Sequence, residues 1–167
     1  MSFANNQVFG DDVTKTYTSA VYPLGTERLV LGSQTGVGDQ VYVFVYNNTG
    51  GSLAVNSLVR HATTSPNGTV SGAGTGLNPS YLVGKVEGAA LPGVAAADGT
   101  SGPYGWVLKR GVCTLLVGAG YTQDQALIVS DATAGAADTV STSTTATFGY
   151  GLGAASGGAA QVYLNII

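Results

Sequence analysis

The clearest pattern in the chain is the alternation along Gln40-Val41-Tyr42-Val43-Phe44-Val45-Tyr46. Successive side chains of a strand point to opposite faces, so the three valines share one face and Tyr42, Phe44 and Tyr46 the other. Both faces are apolar, which predicts a central strand or one buried at a subunit contact. Asn47-Asn48-Thr49-Gly50-Gly51 then closes it with turn-forming residues. Further runs rich in β-branched and aromatic residues predict strands over 58–61, 81–87, 105–109, 112–117, 126–129, 145–152 and 161–167. Between them stand Ser65-Pro66-Asn67-Gly68, Leu91-Pro92-Gly93 and Asp98-Gly99-Thr100-Ser101-Gly102-Pro103, all turn chemistry. No stretch repeats apolar residues at helical spacing with sound caps, and Val94-Ala95-Ala96-Ala97 is too short for a helix. The expectation is an all-β fold, either a small β-sandwich or a β-barrel.

Two local features refine that picture. Gly84 and Gly149 interrupt strand patterns, which predicts a bulge or a close backbone approach at each. Val70 to Asn78, rich in Gly, Ser and Thr, reads as a flexible loop. Residues 1–35 differ in character, carrying Asp11, Asp12, Lys15, Glu27 and Arg28 among isolated apolar residues. Within them Thr16-Tyr17-Thr18 and Arg28-Leu29-Val30-Leu31 can each pair as a strand. The expected organisation is an extended N-terminal arm over 1–35, ordering against something such as a neighbouring subunit, and a β-domain over 36–167. An ordinary first strand and loop of the same domain is the alternative.

Composition narrows the function. Only 9% of residues are charged, against roughly 25% in an ordinary globular domain, so the surface is poorly defended against association. That favours life in an assembly. Six Lys+Arg against nine Asp+Glu give a net charge of −3, without the basic footprint of a nucleic-acid binder. No apolar run approaches the ~20 residues that cross a bilayer, so no membrane partner is expected. The segment Met1-Ser2-Phe3-Ala4-Asn5-Asn6-Gln7 lacks the basic and apolar parts of a secretory signal, and synthesis in the cytoplasm is expected. Without such a signal the glycosylation patterns Asn47-Asn48-Thr49 and Asn67-Gly68-Thr69 carry little meaning.

Candidate chemistry is sparse. The one adjacent acidic pair, Asp11-Asp12, points in opposite directions on an extended chain and cannot converge on a substrate. His61 and Cys113 are the sole histidine and cysteine, and no Gly-x-Ser-x-Gly accompanies them. Cys113 lies in the apolar run Val112 to Val117, which predicts an inert core thiol, and His61 reads as a strand-end surface residue. One His and one Cys cannot build a zinc site. A calcium site near Asp98 or Asp131 is the weaker alternative to ordinary turns there. Gly72-Ala73-Gly74-Thr75-Gly76 and Gly149-Tyr150-Gly151-Leu152-Gly153 lack the spacing of phosphate-binding loops. Trp106 and nine tyrosines could stack on sugars, but core or interface packing is the expected use. No catalytic, cofactor-binding or metal-binding residue is therefore assigned, and the chain is expected not to be an enzyme.

The order of segments from Tyr81 onward carries a resemblance. Tyr81-Leu82-Val83-Gly84-Lys85-Val86-Glu87 is followed by Gly102-Pro103-Tyr104-Gly105-Trp106-Val107, and then by Gly111-Val112 opening an apolar strand. Next come Asp124-Gln125-Ala126-Leu127-Ile128-Val129-Ser130, Ala134-Gly135 and Phe148-Gly149-Tyr150-Gly151-Leu152-Gly153-Ala154. Gly157-Gly158-Ala159-Ala160-Gln161-Val162-Tyr163-Leu164 completes the series. This half of the chain resembles the capsid decoration (cement) proteins of tailed bacteriophages. It departs from their pattern at Gln123, where glycine is usual, and the N-terminal half matches only loosely, through Leu53-Ala54-Val55-Asn56-Ser57-Leu58-Val59, with Asn56-Ser57 in place of Gly-Asp. The resemblance implies a virion protein on the capsid exterior, binding the major capsid protein, often as a homotrimer, and stabilising the mature shell. The alternative is a head-fibre or tail-associated adhesin that binds host surface glycans. A homotrimer is also expected from the two apolar faces of Val41 to Tyr46.

Overall fold

A computed structural model describes residues 12–32, 37–62, 68–140 and 146–167. The predicted turn over 65–68 falls largely outside these residues, as do Asp11 and the rest of 1–11. Eleven strands run through the described residues. They are β1 (Thr16–Tyr17), β2 (Glu27–Val30), β3 (Gln40–Asn47), β4 (Leu58–His61), β5 (Thr69–Gly72), β6 (Leu82–Val86), β7 (Tyr104–Leu116), β8 (Leu127–Val129), β9 (Ala137–Thr139), β10 (Gly149–Gly151) and β11 (Ala159–Asn165). One 3-10 turn, Pro79–Tyr81, precedes β6, with the Asn78 side chain accepting the Ser80 N–H. The chain is all-β, as its pattern predicts.

The sheet closes on itself. β3 pairs with β5, β5 with β4, β4 with β6, β6 with β7 and β7 back with β3; only β3–β5 is parallel. This ring is a small barrel. Its interior is the cluster Val43, Val45, Val59, Val70, Val83, Val86 and Val107, stoppered by Leu53 and Leu91, which bridge to one another. Valine dominates because a five-stranded ring leaves little room between facing strands. Gly84 lies on the ring, where a Cβ would come 2.7 Å from the Leu108 carbonyl oxygen.

The alternation along β3 is realised on both sides. Val43 and Val45 fill the barrel, while Tyr42 and Phe44 face a second, larger cluster outside it with Trp106, Leu58, Leu82 and Leu108. Both faces are thus covered within one chain, and the strand supplies no argument for a trimer. The polar groups at its start are also satisfied. Tyr42 donates its hydroxyl to Gln40 Oε1 at 3.0 Å, and Gln40 Nε2 donates to the Val112 carbonyl at 2.7 Å.

β7 is a single strand of 13 residues where the sequence suggested two. Tyr42 pairs with Leu108 and Val41 with Arg110, leaving Lys109 as the extra residue of a bulge. The extra residue reverses the alternation. Trp106 and Leu108 face the outer cluster before it, and Cys113 and Leu115 do so after it. Beyond the bulge β7 leaves the barrel and pairs along its length with β11, which in turn pairs with β10. The β8–β9 hairpin packs Leu127, Val129 and Ala137 into the outer cluster.

Strands β1 and β2 arise from the stretch expected to form an arm. β1 pairs with β7, Thr16 opposite Gly105, and β2 pairs with β3, Leu29 opposite Val41. Tyr17 and Tyr22 set their rings edge-on against Phe44, at centroid distances of 6.0 and 5.5 Å. Val70 to Asn78 is not a loop throughout: Thr69–Gly72 is β5, because β3 and β4 supply backbone partners on both sides.

Candidate binding surface

The face that lines the barrel at Val43 and Val107 continues past the barrel rim into solvent. On β7 it carries Arg110, Val112, Thr114 and Leu116; on β11 it carries Gln161, Tyr163 and Asn165. Register fixes their neighbours. Tyr163 stands between Tyr150 on β10 and Val112 on β7, Gln161 lies opposite Thr114, and Asn165 lies opposite Arg110. Arg110 pairs onward with Val41, and Val41 with Leu29, so the row reaches the opposite edge of the sheet. Leu29, Tyr150, Tyr163 and Leu152 are 50, 44, 40 and 39% exposed.

Its rim is anchored from beneath. Gly149 and Gly151 turn their missing side chains inward: a Cβ on Gly149 would collide with the Tyr163 carbonyl, and one on Gly151 would fall 2.5 Å from the Tyr121 hydroxyl. That is why Tyr150, between them, can point outward from a strand held so tightly. Its hydroxyl donates to the Asp124 carbonyl at 2.6 Å, and Tyr121 donates to the Gly153 carbonyl at 2.8 Å. Burial raises the Tyr121 phenol above its ordinary value and keeps it a donor.

Charge is scarce on this face. Arg110 is its one ionised side chain among the strand residues just named. At the margin Lys109 Nζ lies 2.7 Å from Glu27 Oε1, an exposed pair worth about 0–1 kcal/mol. A shallow depression of about 230 Å³ lies between Glu27, Val41, Arg110 and Asn165, and another of about 330 Å³ lies between Pro79, Phe148 and Ile166. Both are at or below the small end of volumes that enclose a small molecule. The geometry suits a broad contact with another protein: aromatic and aliphatic side chains at the centre, amides and hydroxyls around them.

The residues weighed for chemistry are dispersed. His61 is exposed at the end of β4, whereas Cys113 is buried on β7. Burial pushes the Cys113 thiol up to about 12. A thiol reagent at pH 8 is expected to leave the folded protein unmodified and to react once the chain is unfolded in urea. Because the folded pKa lies above the unfolded value of 9.0, the thiol's contribution to stability is complete below about pH 9. It falls as the pH rises from there towards 12, and a pH-stability profile reads that decline. Asp12 and Asp98 each accept the amide and hydroxyl of the residue two positions on, Thr14 and Thr100. Those bonds hold both carboxyls below the ordinary range. Among the described residues no group of three His, Cys, Asp or Glu side chains could hold a metal ion. No helix there is long and apolar enough to cross a membrane.

Trp106 is only 4% exposed, between Tyr22 and Phe44, and is no sugar platform. The surface residues that matter instead, Tyr150, Leu152 and Tyr163, sit in segments whose alternation was visible. Alternation alone does not tell which face is covered.

No protein-family model matches the chain, and no curated protein matches it. Among solved structures it is similar to the N base of the head fiber gp8.5 of bacteriophage phi29, with a TM-score of 0.50 and 15% identity. The match covers 75% of this chain and 94% of that one. At this identity the likeness is one of fold.

Proposed function

We propose that the chain is a bacteriophage virion structural protein that docks on the exterior of the capsid, with the major capsid protein as its partner. The observation that carries this reading is the open face of β10, β11 and β7, a nearly uncharged sheet surface centred on Tyr163 and Tyr150. A sheet face of this kind gains from desolvation only when another surface covers it. Low overall charge fits the same use, and the fold likeness to a head-fibre base supports a capsid-associated role. The mechanism would be cementing: each bound copy favours the assembled lattice by mass action.

The likeness to a fibre base favours a second reading, in which the chain seats a fibre or adhesin on the head. Copy number separates the two. Particles purified on a density gradient from the native source should carry hundreds of copies if the chain is a cement, and few if it seats fibres. Stripped particles should lose heat resistance and regain it on re-addition of the protein. Equal resistance before and after re-addition would end the cementing role, and absence of the chain from particles would end both readings. Light scattering at tens of micromolar reads the oligomeric state directly.

A further inference from the structure

Among the described residues Lys85 is the one charged side chain that the fold buries completely, with a carboxylate and a side-chain amide against its amine. It lies on β6 opposite Leu58 on β4 and Leu108 on β7, facing the outer apolar cluster. Its Nζ stands 2.6 Å from Glu87 Oε2 and 3.1 Å from Asn56 Oδ1. The Lys85 amine thus donates to the carbonyl oxygen of the very amide whose carbon it would have to attack, which sets the two groups side by side.

The position of Asn56 is over-determined. Its N–H donates to the Val86 carbonyl at 2.9 Å, and its own carbonyl accepts the Leu116 N–H at 2.9 Å. The next residue, Ser57, accepts the Val86 N–H at 2.9 Å. These bonds hold Asn56 at φ 63, a left-handed conformation that asparagine tolerates better than most residues. A buried amine, a carboxylate against it and a side-chain amide carried on a clamped backbone are the three groups needed to make an amide between two side chains.

We propose that Lys85 and Asn56 form an intramolecular isopeptide bond, with Glu87 as the proton carrier. The Glu87 carboxylate takes a proton from the Lys85 ammonium, and the free amine attacks Asn56 Cγ, forming the Nζ–Cγ bond. Glu87 then delivers its proton to Nδ2, the Cγ–Nδ2 bond breaks, and ammonia departs, carrying the second Nζ proton away as ammonium. No oxidant or cofactor enters the balance. Lys85 is fully shielded from solvent between Leu58 and Leu108, whereas Glu87 keeps 24% of its side chain exposed and opens a way out for the departing ammonia.

Intact-mass measurement of the full chain tests this. The linked protein should be about 17 Da lighter than its sequence, the mass of one ammonia. Trypsin should fail to cut after Lys85 and should yield residues 29–60 joined to residues 61–109 as one species. The sequence mass, with free peptide 61–85 released, would overturn the proposal. A light mass with normal cleavage at Lys85 would also overturn it, since that pattern marks a succinimide at Asn56. Glu87→Gln should fold to the same β-rich spectrum yet keep the full sequence mass, and linkage persisting in that variant would remove Glu87 from the reaction.

Discussion

Trp106→Ala is expected to lower the free energy of unfolding by about 3–5 kcal/mol, read from the midpoint of a urea titration. The indole sits where β7 pairs with β3, directly opposite Phe44, with ring centroids 5.2 Å apart. Tyr22 closes on it at 5.3 Å from the segment between β1 and β2. Truncation therefore removes a large buried side chain and two aromatic contacts, each worth about 0.5–1.5 kcal/mol beyond the area buried. The backbone around the site is fixed by pairing on both sides, so little collapse can fill the space. Trp106→Phe should cost much less. It keeps a ring in place and removes an indole N–H that is buried without a hydrogen-bond partner among the described residues. A loss below about 1 kcal/mol for the alanine variant would show that the aromatic cluster is not the keystone of the outer core.

Tyr163→Asp is expected to weaken binding to stripped capsids at least about tenfold while leaving the fold intact, with stability changed by no more than about 1 kcal/mol. Tyr163 lies at the centre of the open face, between Tyr150 and Val112, and its side chain is not part of either core. A carboxylate there would have to give up its water in any contact that covers the face, which costs far more than burying a phenol ring. Val94→Asp, on an exposed loop at 65% exposure, adds the same charge elsewhere and is expected to bind as wild type. Sedimentation of labelled protein with the particles measures both. Unchanged binding by Tyr163→Asp would move the docking surface away from this sheet, and equal weakening by Val94→Asp would point to net charge instead.

The sequence made some of this visible for definite physical reasons. Val41 to Tyr46 announced a strand covered on both sides because both of its alternations are apolar, and β3 is central in the sheet. Cys113 and His61 lie where their neighbours implied, one in the core and one at a strand end. β5 was hidden because Thr69-Val70-Ser71-Gly72 has weak intrinsic preference, and its pairing with β3 and β4 decides it. Ala137–Thr139 was hidden for the same reason. β7 looked like two strands because Lys109-Arg110-Gly111 breaks the apolar alternation; the bulge turns that break into a change of face within one strand. The candidate surface was the least legible part. Gln161-Val162-Tyr163-Leu164 declares which residues alternate, but only the packing of Val162 and Leu164 against the outer cluster leaves the Tyr163 side uncovered.

That bulged strand also governs how the molecule can come apart. A barrel and an attached sheet would ordinarily have a seam between them, a place where one opens while the other persists. Here Trp106, Leu108, Cys113 and Leu115 are on one uninterrupted backbone, and Val107 on the same strand belongs to the barrel interior. Fraying at β2 can remain local, because it is an edge strand. An opening that reaches β7 withdraws a stave from the barrel and the support of β11 in one event, so the two cores share a single cooperative threshold.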